Sequence, residues 1–201
     1  FDRGVLEVLR EPLESGHIVI SRAGRQAEFP ARFQLVAAMN PCPCGHLGDP
    51  GASCRCTPDR IAAYRGRISG PLLDRIDLHV EVPRVSTVEI ARDAVAENSA
   101  AVAARVATAR DRQVERQGYA NAWLDGPSVA KSVRADAAAL ALLGNAMQRL
   151  ALSARAYHRV LRIARTIADL AAGETVAAQH VAEAVTLRQL DRRLAGAPMS
   201  A

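Results

Sequence analysis

The period of the apolar positions changes along this chain, and the changes predict its elements. Val5, Leu6, Val8, Leu9 and Leu13 recur at helical spacing, which predicts a helix over Phe1–Ser15 stopped by Gly16. His17 to Ser21 alternates, Ala23-Gly24 can turn, and Gln26 to Phe29 can return. That predicts a β-hairpin tipped by Arg22, Gly24 and Arg25. Phe33 to Met39 is a near-continuous apolar run ending at Asn40 before Pro41, the pattern of a buried strand. Residues 41–58 read as a long loop rich in Cys, Gly and Pro. Loops of that length in compact domains are usually functional or stapled. A short helix is expected over Asp59–Arg67, with Thr57 as cap and Pro58 in first position. A helical turn at Pro71–Arg75 and a strand over Ile76–Val82, closed by Pro83, complete the first part.

Beyond Pro83 the period becomes helical throughout. Helices are predicted over Val88–Arg116, over Ala135–Ala151 with an interruption at Gly144-Asn145, over Ser153–Ala172, and over Thr175–Leu190 with Thr175 as cap. Gly118–Ser128 reads as a connector. In the third of these helices Tyr157, Val160, Ala164, Ile167 and Ala168 form an apolar stripe, and Gly173 stops it. The fold class expected is α/β followed by all-α. The domains expected are residues 1–85, residues 86–195 and a frayed tail over 196–201, with a boundary near residues 83–90. The chain opens at Phe1 directly into a helical pattern, which suggests a fragment of a longer protein.

Composition narrows the function classes. Aromatics are only 3% of the chain, so Ala, Val, Leu and Ile must build the core. There is no apolar run of about 18 residues and no basic-then-apolar leader, so a cytoplasmic protein with no membrane partner is expected. The net charge is +5, and Lys131 is the only lysine, so nearly all the positive charge is arginine. Arginine suits bidentate contact with phosphate, and the charge permits nucleic-acid binding without requiring it.

Four cysteines, Cys42, Cys44, Cys54 and Cys56, lie in one short stretch as C-x-C, nine residues, C-x-C. Four thiolates are the right number for a tetrahedral zinc, with His46 as an alternative ligand. Two redox-sensitive thiol pairs remain the competing reading. Asn40, at the carboxyl end of an expected strand, stands where ligands sit in open α/β sheets. It could equally cap the strand-to-loop turn.

Three stretches together carry a resemblance: Phe33 to Gly45, Ile68-Ser-Gly-Pro-Leu-Leu-Asp-Arg-Ile-Asp-Leu-His79, and Leu152-Ser-Ala-Arg-Ala-Tyr-His-Arg159. In that order they resemble the back half of an AAA+ ATPase module, most closely the magnesium-chelatase-like branch in the ComM family of competence-related proteins. The resemblance implies a partial AAA+ P-loop core followed by a helical lid. It implies that Asn40 is the sensor-1 residue, orienting the attacking water against the γ-phosphate. It implies that Arg75 acts in trans on a neighbour's γ-phosphate, with Arg67 as the alternative, and that Arg155 is sensor-2. Arg155, Arg159 and Arg162 share one helical face, which otherwise reads as solvated. The hairpin resembles the pre-sensor-1 hairpin of this clade, which implies that Arg22 and Arg25 meet a DNA backbone inside a ring pore. An edge-blunting pair of surface arginines is the plainer reading.

The chain has no G-x-x-x-x-G-K-[ST] and no strand ending in an Asp-Glu pair suited to magnesium. The resemblance therefore implies that ATP and Mg2+ are held mainly by sequence outside this one, and that this piece alone does not hydrolyse ATP. It implies a ring oligomer, a hexamer in the full-length protein, acting on DNA in branch migration and transformation. A metal-inserting chelatase subunit and a zinc-stapled nucleic-acid-binding module with no motor are the alternatives.

Overall fold

The computed structural model describes residues 1–85, 97–150 and 152–188. It divides into two compact units, Phe1–Ile76 and Asp77–Leu190. The expected boundary near 83–90, the start of the Val88–Arg116 helix, the end of the last helix and the tail lie wholly or partly outside the described residues.

In the first unit the opening helix is two helices, α1 (Arg3–Val8) and α2 (Arg10–Ser15). Pro12 explains the break: it has no N–H to give to the carbonyl of Val8. Gly16 closes α2 with φ +76° and donates its N–H to Pro12 O. A side chain there would also meet Arg32, 3.1 Å from the position of a Cβ. Strands β1 (His17–Arg22) and β2 (Arg25–Pro30) pair antiparallel, with Arg22 opposite Arg25. The two loop residues, Ala23 and Gly24, both have positive φ (49° and 75°), the conformation that matches strand twist in a tight hairpin.

Helix α3 spans Pro58–Arg65, capped by Thr57 with Pro58 in the first turn, as its sequence predicts. Helix α4 is a single turn, Gly70–Leu73, capped by Ser69. The two expected central strands do not form. Residues 33–39 and 77–82 have no strand pairing, and the sheet of the described residues is the β1–β2 hairpin alone. Val36 and Val82 are each 85% exposed. A run that is apolar at consecutive positions suits a strand covered on both faces. With both described strands committed to the hairpin, neither run has a ladder to join.

The second unit is all-helical. Helix α5 (Ser99–Gln117) starts on an Asn98 cap and ends at Gly118, whose φ is +85°. A 3-10 turn (Asn121–Trp123) and α6 (Gly126–Ser132) replace the expected connector. Helix α7 (Ala137–Leu150) runs through Gly144 without interruption. An isolated glycine costs a helix only about 1 kcal/mol, and Leu143, fully buried beside it, anchors the same turn.

Helix α8 (Ala154–Leu170) buries Val160, Ala164 and Ala168, with Tyr157 and Ile167 packed against them. The last helix, α9, starts at Ala178 and not at Thr175. Val176 is held extended in a parallel bridge with Ala135, so the chain cannot begin to coil until it has passed that position. There His180 Nδ1 accepts the Ala177 N–H at 3.0 Å. The core of this unit joins Leu124, Val129, Val133, Leu143, Val160, Leu161 and Val181. Each such side chain contributes about 1.5–3 kcal/mol.

Candidate functional site

Asn40 is exposed and ends a segment with no helix or strand rather than a paired strand. The turn that follows brings Gly45 back beside it: a Cβ on Gly45 would lie 3.8 Å from Asn40 Nδ2. The Arg65 Nε of α3 donates to Pro41 O at 3.1 Å, tying the end of α3 to the residue after Asn40.

The next turn gathers the thiols. Gly45 N–H donates to Cys42 O at 3.0 Å, folding Cys42 and Cys44 to one side. Cys42 Sγ lies 3.3 Å from Cys44 Sγ and 3.7 Å from Cys54 Sγ, and Cys44 and Cys54 are 3.6 Å apart. With Cys56 all four sulfurs fall within 4.8 Å of one another. Cys42 is fully buried and Cys44 is exposed. His46 is not in the group; its Nδ1 faces Asp49 at 3.7 Å. The main chain polarises the cluster. The His46 N–H, then the Cys42 thiol, draw Cys44 down to about 6. Cys54 is pushed up to about 11: the Cys56 N–H opposes the shift, while burial and the Cys44 and Cys42 thiols outweigh it.

Arg75 follows α4. Its guanidinium donates to Pro71 O at 2.7 Å and pairs with Glu14 of α2. This carboxylate comes from far along the chain, where the sequence neighbours Asp74 and Asp77 suggest a local ion cluster. Arg67, the alternative, is exposed.

Arg155 is exposed in the first turn of α8. Its companions on that face are not solvated, contrary to the pattern reading. Arg159 pairs with Asp77 at 2.5 Å, and Arg162 donates to the carbonyls of Ala122 and Leu124, both at 3.2 Å. Arg188 donates to Asp77 O at 3.2 Å. The segment after Ile76 supplies an acceptor for each of Arg159 and Arg188, and this fills the face that periodicity alone leaves to water. Burial, partly offset by the Asp77 carboxylate, lowers the Arg162 pKa. The hairpin arginines Arg22 and Arg25 are both exposed at the tip, and β2 is exposed along its whole length.

Family models of magnesium chelatase subunit ChlI match residues 1–90, and of its C-terminal part residues 96–188. The chain is 44% identical over 195 residues to the Competence protein ComM of Haemophilus influenzae and 45% identical over 195 residues to the Uncharacterized protein YifB of Escherichia coli K12. Both alignments cover 96% of this chain and 38% of the relative. It is 41% identical over 192 residues to the Uncharacterized protein Rv2897c of Mycobacterium tuberculosis, covering 94% of this chain and 38% of that protein.

This chain belongs to the magnesium chelatase-like family. It spans less than half the length of the curated relatives it matches.

Two groups in this magnesium chelatase-like chain escape sequence reading. Glu14 partners Arg75 from 61 positions away, and no local signal marks it. The buried Arg165–Asp169 pair is visible as an i, i+4 charge pair, but on a helix that looks amphipathic such pairs usually face water. No helix of the described residues is long and apolar enough to cross a membrane.

Proposed function

We propose that this chain is the later part of the ATPase module of a ring-forming motor that acts on DNA. The observation that carries the reading is the hairpin. Two arginines directly opposite each other at an exposed two-residue tip are a costly arrangement for a sheet, because like charges repel across a pair. An anionic backbone between them removes that repulsion and is held without choice of sequence. The resemblance to a protein named for competence supports a DNA client over a porphyrin one.

In this reading ATP and Mg2+ are bound mainly by residues of the whole protein that this sequence does not contain, and this piece alone is inactive. Asn40 orients the attacking water. Arg75 leaves Glu14 to meet the γ-phosphate of a neighbouring subunit, where a guanidinium neutralises transition-state charge without a proton transfer. The second unit, Asp77–Leu190, is the helical lid, and the exposed Arg155 reports nucleotide to it. Assembly is a closed ring of copies, six in this reading. The four cysteines take no part in hydrolysis.

The test is ATP hydrolysis by the complete protein at fixed salt, with and without branched DNA. Stimulation by DNA that is lost in R22A/R25A supports the reading. Robust hydrolysis indifferent to DNA in both proteins sinks the DNA motor and favours a chelatase-like client.

A further inference from the structure

Residues 41–57 form a run with no helix or strand, yet they are folded tightly enough to bring together thiols that are 12 positions apart. A chain this rich in glycine and proline has little apolar surface with which to offset its ordering entropy. Cys42 is the only fully buried residue in it. Something other than a hydrophobic core must hold it.

The sulfur geometry identifies what. A zinc ion with four thiolate ligands at about 2.3 Å places its sulfurs about 3.8 Å apart along each tetrahedral edge. The three pairs among Cys42, Cys44 and Cys54 are 3.3, 3.6 and 3.7 Å apart. A disulfide requires about 2.0 Å, which no pair approaches. All four sulfurs within 4.8 Å of one another enclose room for one ion. The donor set is entirely thiolate, which selects zinc over the harder divalent cations.

The position of the cluster gives it a task. Cys42 stands two residues after Asn40, and Cys56 stands immediately before Thr57, the cap of α3. At the other end of α3, Arg65 holds Pro41 O. We propose that Cys42, Cys44, Cys54 and Cys56 bind one Zn2+ in a closed, non-catalytic site that fastens the Asn40 segment to the start of α3. The ion and the Arg65 hydrogen bond then clamp α3 to this segment at both of its ends. With four protein ligands no coordination position is left for water or substrate. The existence of the site does not depend on what Asn40 does.

The experiment uses the complete protein purified without added metal, with metal content measured by mass spectrometry and the metal then exchanged for Co2+. About one zinc per chain and the charge-transfer absorption of a cobalt tetrathiolate are expected. Both should be lost in C54S and in C44S. Amide exchange over residues 41–57 should accelerate on chelation, with the second unit unchanged. Metal-free protein with four freely titrating thiols and no cobalt–thiolate band overturns the site, and stoichiometric iron overturns the zinc assignment. Stoichiometric zinc whose removal leaves exchange over 41–57 unaltered overturns the fastening role. The measurements on the unmutated protein decide the matter even if the serine variants do not fold.

Discussion

Arg165 and Asp169, one turn apart on α8, form a salt bridge of 3.0 Å with both side chains 1% exposed. Neither is left to the other alone. Asp169 also takes Arg116 at 2.7 and 2.9 Å and the Asn121 amide at 2.9 Å. Arg165 also donates to the carbonyls of Val133, Gly173 and Glu174. One buried ionic network therefore ties α5, the 3-10 turn, α8 and the loop before α9 together. Burial alone would raise the Asp169 pKa, but the hydrogen bonds from Arg116 and Asn121 and the charge of Arg165 outweigh it and lower it.

The lowered value sets the sign of a pH effect. A carboxylate depressed on folding adds stability above its unfolded pKa of about 3.9, and loses it as pH falls from there through the folded value. Urea midpoints of the protein should fall below about pH 4. D169N should show a flatter dependence there and a lower midpoint at neutral pH. Removing the carboxylate strands two arginines, a loss of about 3–5 kcal/mol. Parallel pH profiles in the two proteins would refute this role.

R75A in the complete protein should leave nucleotide binding intact and lower turnover by about 10³-fold or more, the scale of a trans-acting arginine. Steady-state hydrolysis and nucleotide affinity separate the two effects. E14Q tests the resting pair: it removes the carboxylate that pairs with Arg75 in this structure, and its stability cost should be at most about 1 kcal/mol, as for other partly exposed pairs. Near-normal turnover in R75A would remove the assignment.

Arg155 and Arg159 should part company. R155A should weaken the response of the second unit to nucleotide, read as nucleotide affinity and turnover in the complete protein. R159A breaks the 2.5 Å salt bridge with Asp77 and should lower the melting temperature measurably. An unchanged nucleotide affinity and turnover in R155A would remove its assignment.

R22A/R25A should reduce the steepness with which DNA affinity falls with salt. Each phosphate that the protein no longer neutralises lowers the log–log slope by about 0.9 on duplex and about 0.7 on single strands. Binding measured across a salt series reads the change directly. A lower affinity with an unchanged slope would mean the arginines do not touch phosphate.

A23N should stabilise the hairpin. Ala23 holds φ 49°, a conformation that costs a residue with a Cβ about 1–2 kcal/mol, and Asn-Gly is the preferred pair for this turn. Slower amide exchange across Ile18 to Phe29 would show it; faster exchange would contradict it.

Much of this molecule is legible in sequence because it is decided locally. The Ala23-Gly24 turn, the Thr57 cap with Pro58, the stop at Gly118 and the apolar stripe of α8 each follow from residues within a few positions of one another. The same holds for the four cysteines, whose spacing lets a single loop bring their sulfurs together. The failures have a common cause. Phe33 to Met39 and Ile76 to Val82 carry the composition of buried strands, but a strand exists only when a neighbour pairs with it, and the sequence of a segment does not contain its neighbour. Thr175 has the chemistry of a cap, yet the bridge between Val176 and Ala135 holds the chain extended past it.

Charge behaves the same way. That Arg75, Arg155, Arg159 and Arg165 are arginines is fixed by sequence, as is the helical face that Arg155, Arg159 and Arg162 occupy. Which of them meets a carboxylate was decided by partners far along the chain for Arg75, which meets Glu14, and for Arg159, which meets Asp77, whereas Arg165 adds the distant Val133 carbonyl to its nearby Asp169, Gly173 and Glu174. Hydrogen-bond geometry and burial depend on distances in space, and only the tertiary structure brings those partners within reach.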